Sequence, residues 1–167
     1  AGLSCELDDH RGLDHGAWVP LMLMYPNADV PVVQLSIQQH LDPTQHTALG
    51  AAISSLRDQG VLVVGSGSAV HPLGYASASL GEGAATDDWA REFGSWLTDA
   101  VTRGDRVSLL DYRMRAPYAE RAHPYPDHYM PLLVAFGAAG AGARGAVLHH
   151  SWNWGDLMMD AYEFKPD

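Results

Sequence analysis

The chain has 167 residues, a length that fits one domain over 1–167. Apolar residues make up 47% and charged residues 18%, which describes a globular chain rather than a disordered one. The formal charge of −10 argues against a nucleic-acid surface, which needs clustered Lys and Arg, and against anionic membranes.

Cys5 is the single cysteine, so neither an intrachain disulfide nor a cysteine-based zinc site can form. A reducing, cytoplasmic setting is the expectation. No apolar run is long enough to span a bilayer. The opening residues, AGLSCELDDHRG, lack the basic start and apolar core of a signal peptide, and no initiator methionine is present. The chain therefore reads as beginning partway through a longer protein.

In chain order, Asp14 caps a helix running through HGAWVPLMLMY, which Pro26 stops. VPVVQLSI, Val30 to Ile37, is rich in β-branched residues and predicts a strand. Asp42 followed by Pro43 opens a second helix that ends at Gly60. VLVVG, from Val61, predicts a strand buried on both faces. Strand, helix and strand in that order predict a right-handed crossover in a parallel sheet. Gly74 to Ala85 reads as a surface loop. Thr86, Asp87 and Asp88 open a third helix that ends at Gly104, with a shorter one over Val107 to Arg115. Ala116 to Tyr125 reads as irregular, and Asp127 to Ala139 as helical. AVLHHSW predicts a strand, and LMMDAYEF is a further apolar run. The fold class is α/β, with helices packed on a mostly parallel sheet.

Nine histidines are many for this length. His10, His40 and His46 lie in polar surroundings and read as surface or hydrogen-bonded residues. Three contexts stand out. His15 in GLDHGAW sits near a helix start. His71 in SGSAVHPLG follows a glycine-serine turn at the end of a buried strand, where α/β folds gather ligands. His123 and His128 lie in AHPYPDHYMPLL, with His128 in the first turn of a helix. The positive end of a helix disfavours imidazolium, and neutral imidazole serves both metal binding and general-base work. Taken singly, each histidine has capping or packing as the plainer reading.

Rival motifs are weak. GSGSAV lacks the third glycine of a dinucleotide loop. Neither Ser66 nor Ser68 has the flanking glycines of a nucleophile elbow, and no HExxH helix exists.

RGLDHGAWVPLMLMYPNADVPVVQLSIQ, SLRDQGVLVVGSGSAVHPLG and APYAERAHPYPDHYMPLLVAFGAAG together resemble the catalytic subunits of the class III extradiol ring-cleavage dioxygenase superfamily. The resemblance is to its DOPA 4,5-dioxygenase-like branch, C-terminal portion only, with a weaker echo in LHHSWNWGDLMMDAYEF. It implies an α/β sandwich and a non-haem Fe(II), or Zn(II), that acts with O2 on a catechol-like aromatic diol. It implies His128 as a metal ligand, His71 as general acid/base, His15 as a second catalytic histidine and His123 as a substrate contact. Two further ligand histidines, in HGSP-like and SAHW-like motifs, do not occur in this sequence. His149 and His150 are no ready substitute, because adjacent strand side chains point to opposite faces. The same resemblance leaves open a fragment, a two-chain assembly with an N-terminal segment, a homodimer, or a non-catalytic α/β remnant that has lost the metal site. Unpaired edges at VPVVQLSI or VLVVG would expose apolar surface and promote association.

Overall fold

The computed structural model of the chain describes residues 2, 4–38, 40, 42–73 and 83–165. Most of the loop expected over Gly74 to Ala85 lies outside them. Helix α1 spans His15–Met24, with the Asp14 side chain accepting from the Ala17 amide at 3.2 Å. Helix α2 spans Pro43–Ala52 and opens on a full capping box, in which Asp42 accepts from the Gln45 amide and the Gln45 side chain returns to the Asp42 amide. The expected long helix breaks at Ile53 into a tighter 3-10 segment, Ser54–Gln59, which Gly60 ends in the left-handed region at φ 80°.

Helix α3, Asp88–Arg103, carries the core. Trp89, Ala90, Phe93, Gly94, Leu97, Ala100 and Val101 are buried, a stripe recurring every three or four residues. Each fully buried Leu or Phe on that stripe contributes about 1.5–3 kcal/mol through apolar burial. Gly104 ends the helix with φ 64°. Three short helices follow: α4 at Arg106–Leu110, α5 at Tyr112–Arg115 and α6 at Ala119–Ala122. The last lies within the stretch expected to be irregular. A 3-10 turn, Pro126–His128, then leads into α7, Met130–Ala139. Helices α2 and α7 meet backbone to backbone, since a Cβ on Gly50 would strike the Val134 carbonyl and one on Gly137 the Thr47 carbonyl.

The sheet differs from expectation. Among the described residues the strands form two small antiparallel pairs. Strand β1, Arg144–His149, pairs with β4, Ala161–Lys165, while β2, Trp152–Asn153, pairs with β3, Leu157–Met158. The β1–β4 ribbon packs on α3, with Gly145 against Val101, and on α7, where Phe136 meets Phe164 edge-on at 5.6 Å. No parallel sheet forms among the described residues, and neither 30–37 nor 61–65 is a strand. Their β-branched sequences favour extended backbone, yet a strand exists only when a neighbour completes its hydrogen bonds, and no described segment does so. Their side chains are correspondingly open, with Val33 91% and Leu62 66% exposed. Helix α1 likewise buries no residue, and Leu23 on it is 78% exposed. No helix among the described residues is long and apolar enough to cross a membrane.

Candidate active site

Two glycines bring the site together. Gly65 and Gly67 lie so close to α7 and the turn before it that a Cβ on either would strike the Pro131 or the His128 carbonyl oxygen. The Ser68 amide donates to the same His128 carbonyl at 3.2 Å. Val70, fully buried, bridges to Met158, and the His71 amide donates to the Ala122 carbonyl at 2.9 Å. The chain after VLVVG is thus laid against the 122–128 segment, and two imidazoles distant in sequence meet.

The rings of His71 and His128 stack with centroids 3.7 Å apart and planes 5° from parallel. Two imidazolium rings so placed would repel, so the stack requires at least one neutral ring. Burial holds His71 below its ordinary value, and the positive charge of His128 and, more weakly, of His15 pushes the same way, while Asp127 opposes them. At neutral pH His71 is a neutral base. His15 is exposed at the start of α1, whose first turn runs beside Ser66; a Cβ on Gly16 would come within 3.5 Å of the Ser66 Oγ. His15 does not join the stack, and its charge acts on His71 only weakly.

Asp127 was not among the residues that sequence reasoning singled out. Its Oδ2 lies 3.7 Å from His128 Nε2, and its Oδ1 is buried with no hydrogen-bond partner among the described residues. The pattern Pro-Asp-His at a helix start was the available signal, because an acid there serves both the helix end and the adjacent imidazole.

His123 is placed differently from expectation. It is 0% exposed, so it has no free face to offer a substrate. Its ring lies edge-on to Phe93, Tyr112 and Tyr129 at centroid distances of 5.6, 6.4 and 5.3 Å. Its Nε2 lies 3.0 Å from the Ala69 carbonyl. Burial, the largest cause, lowers its pKa to about 4.

The exposed His149 places Nε2 2.8 Å from the Ser151 hydroxyl, and the exposed His150 places Nδ1 2.7 Å from Oδ1 of the Asp160 side chain, which is itself buried. Among the described residues there is no grouping of three or more His, Cys, Asp or Glu able to hold a metal ion.

The described residues thus stack His71 on His128 beside the partly exposed Asp127 carboxylate. The chain belongs to the family described as the catalytic LigB subunit of aromatic ring-opening dioxygenase, whose model matches residues 2–164. It is 49% identical over 161 residues to the 4,5-DOPA dioxygenase extradiol of Beta vulgaris, covering 96% of this chain and 59% of that protein. It is 43% identical over 162 residues to the protein of that name from Portulaca grandiflora, again covering 96% and 59%. The crystal structure of an uncharacterized protein from Escherichia coli K12 superposes with a TM-score of 0.80 at 30% identity, covering 91% of this chain and 62% of the other. The chain thus spans about three-fifths of the length of these relatives.

Proposed function

We propose that the protein carrying this chain is an extradiol-type dioxygenase that opens the ring of a catechol-like aromatic diol with O2. The observation that carries this reading is the face contact of His71 with His128 beside Asp127, within a family described as aromatic ring-opening dioxygenases. A DOPA-like catechol is the first substrate to offer, because relatives at 49% and 43% identity bear that name.

In this reading His71 takes a proton from a diol hydroxyl and returns it when the ring opens. Its lowered proton affinity suits that work near neutral pH. As His71 becomes imidazolium, the Asp127 carboxylate offsets the repulsion from a charged neighbour. His15 lines the approach from α1 and donates a hydrogen bond to charge developing on bound oxygen or substrate. His128 would be a ligand to an iron or zinc ion, which would supply the site for binding the diol and O2. Among the described residues no group of three or more His, Cys, Asp or Glu is placed to hold that ion. Association belongs to the same proposal: the exposed apolar residues of 30–37 and 61–64 favour pairing with further polypeptide. A cytoplasmic setting is proposed with it.

A second reading is a non-catalytic α/β module of the same family that has lost the metal site. One experiment separates the two. The protein is reconstituted with Fe(II) and offered DOPA in air. Stoichiometric metal with oxygen uptake and a yellow ring-opened product supports the enzyme; no bound metal and no oxygen uptake supports the module.

A further inference from the structure

We propose that His123 is a positioning residue, whose Nε2–H holds the Ala69 carbonyl and so fixes the segment that sets His71 against His128. The proposal deepens the reading of the stacked pair and rests on it for its consequence.

The 67–71 segment is joined to 122–128 at three hydrogen bonds. Two are backbone to backbone, from Ser68 to His128 and from His71 to Ala122. The third, at 3.0 Å, is made by a side chain, that of His123. A carbonyl oxygen only accepts, so Nε2 carries the proton and Nδ1 is left bare. The bare Nδ1 is buried and has no hydrogen-bond partner among the described residues.

This is an odd choice for packing alone. A box of Phe93, Tyr112 and Tyr129 would hold an apolar ring without stranding a nitrogen. What an apolar ring could not do is satisfy Ala69. The far side of the clasp is itself anchored. Arg121, two residues before His123, lies over the Trp89 ring at 4.2 Å and reaches Asp87 at 3.6 Å. Trp89 also donates from its indole nitrogen to Asp87 at 2.8 Å. His71 is thereby tied through His123 and Ala122 to the start of α3, which carries much of the core.

The test is amide hydrogen exchange on the chain, read at Ser68 and His71, with Leu97 in the middle of α3 reporting global opening. His123→Phe keeps a ring in the box and removes the donor. The expected result is exchange about tenfold faster at Ser68 and His71, the scale of one lost hydrogen bond, with Leu97 unchanged. His123→Gln, which keeps a donor, should leave the two amides slow. Unchanged exchange in His123→Phe, equal acceleration at Leu97, or acceleration in His123→Gln as large as in His123→Phe would each overturn the proposal. If His123→Phe does not fold, nitrogen NMR of the unaltered chain decides: a proton on Nε2 is required, and a proton on Nδ1 refutes the clasp. None of these readouts uses turnover, so a failure leaves the catalytic reading standing, and a failed turnover assay leaves the clasp standing.

Discussion

The imidazole of His71 lies flat on that of His128, 3.7 Å centroid to centroid, although the two stand 57 positions apart in the chain. Two positive charges placed face to face repel, which adds to burial in lowering the proton affinity of His71. A pair of this kind, with a carboxylate within reach of one ring, can accept one proton and pass it on.

The stack depends on glycine at position 67. A methyl group there meets the His128 carbonyl, a backbone atom that cannot swing aside. Gly67→Ala is expected to lower stability by about 1–3 kcal/mol, the usual cost of forcing an extra carbon into a filled site. Chemical denaturation measures this, and an unchanged midpoint would mean the backbones are not in contact.

His123 makes stability pH-dependent. Its folded pKa of about 4 lies below the ordinary 6.5, so the unfolded chain takes up the proton first. Stability from this residue is fully present above pH 6.5 and is lost as pH falls towards 4, by about 3 kcal/mol in total. Replacing His123 with Phe should flatten that part of the acid limb. Unfolding curves of the two proteins at several pH values between 7 and 4 provide the check.

The capping box at the start of α2 gives a local control. Asp42→Ala removes the acceptor for the Gln45 amide and should cost about 1 kcal/mol, read as a shift in the denaturation midpoint without change in the histidine stack.

His128→Ala should reduce the iron held after reconstitution, measured by metal analysis of the desalted protein. Full metal content in that variant would remove His128 from the ligand set.

Helix ends were legible in the sequence because they are written locally. Asp14, Asp42 with Pro43, and the left-handed glycines Gly60 and Gly104 each stand within a turn of the end they define. The sheet was not legible for the opposite reason. VPVVQLSI has strand composition, but a ladder is a property of two segments, and the described chain supplies no neighbour for it. The pairing that does form, β1 with β4, joins runs whose alternation is weak. The site was partly legible. The glycine-serine turn announced that His71 is delivered somewhere close to backbone, while which backbone it meets is set by α7. The burial of His123 was not legible because its aromatic box is built from residues distant in the sequence, Tyr112 and Tyr129 together with Phe93 of α3.

The most direct test of the central claim is oxygen uptake by His71→Ala, loaded with Fe(II) and given DOPA, beside the unaltered protein under the same conditions. Loss of a positioned proton acceptor should slow turnover by about 10²–10⁴-fold while bound iron per chain stays the same. Turnover at the unaltered rate would show that the stacked pair is not where the proton moves.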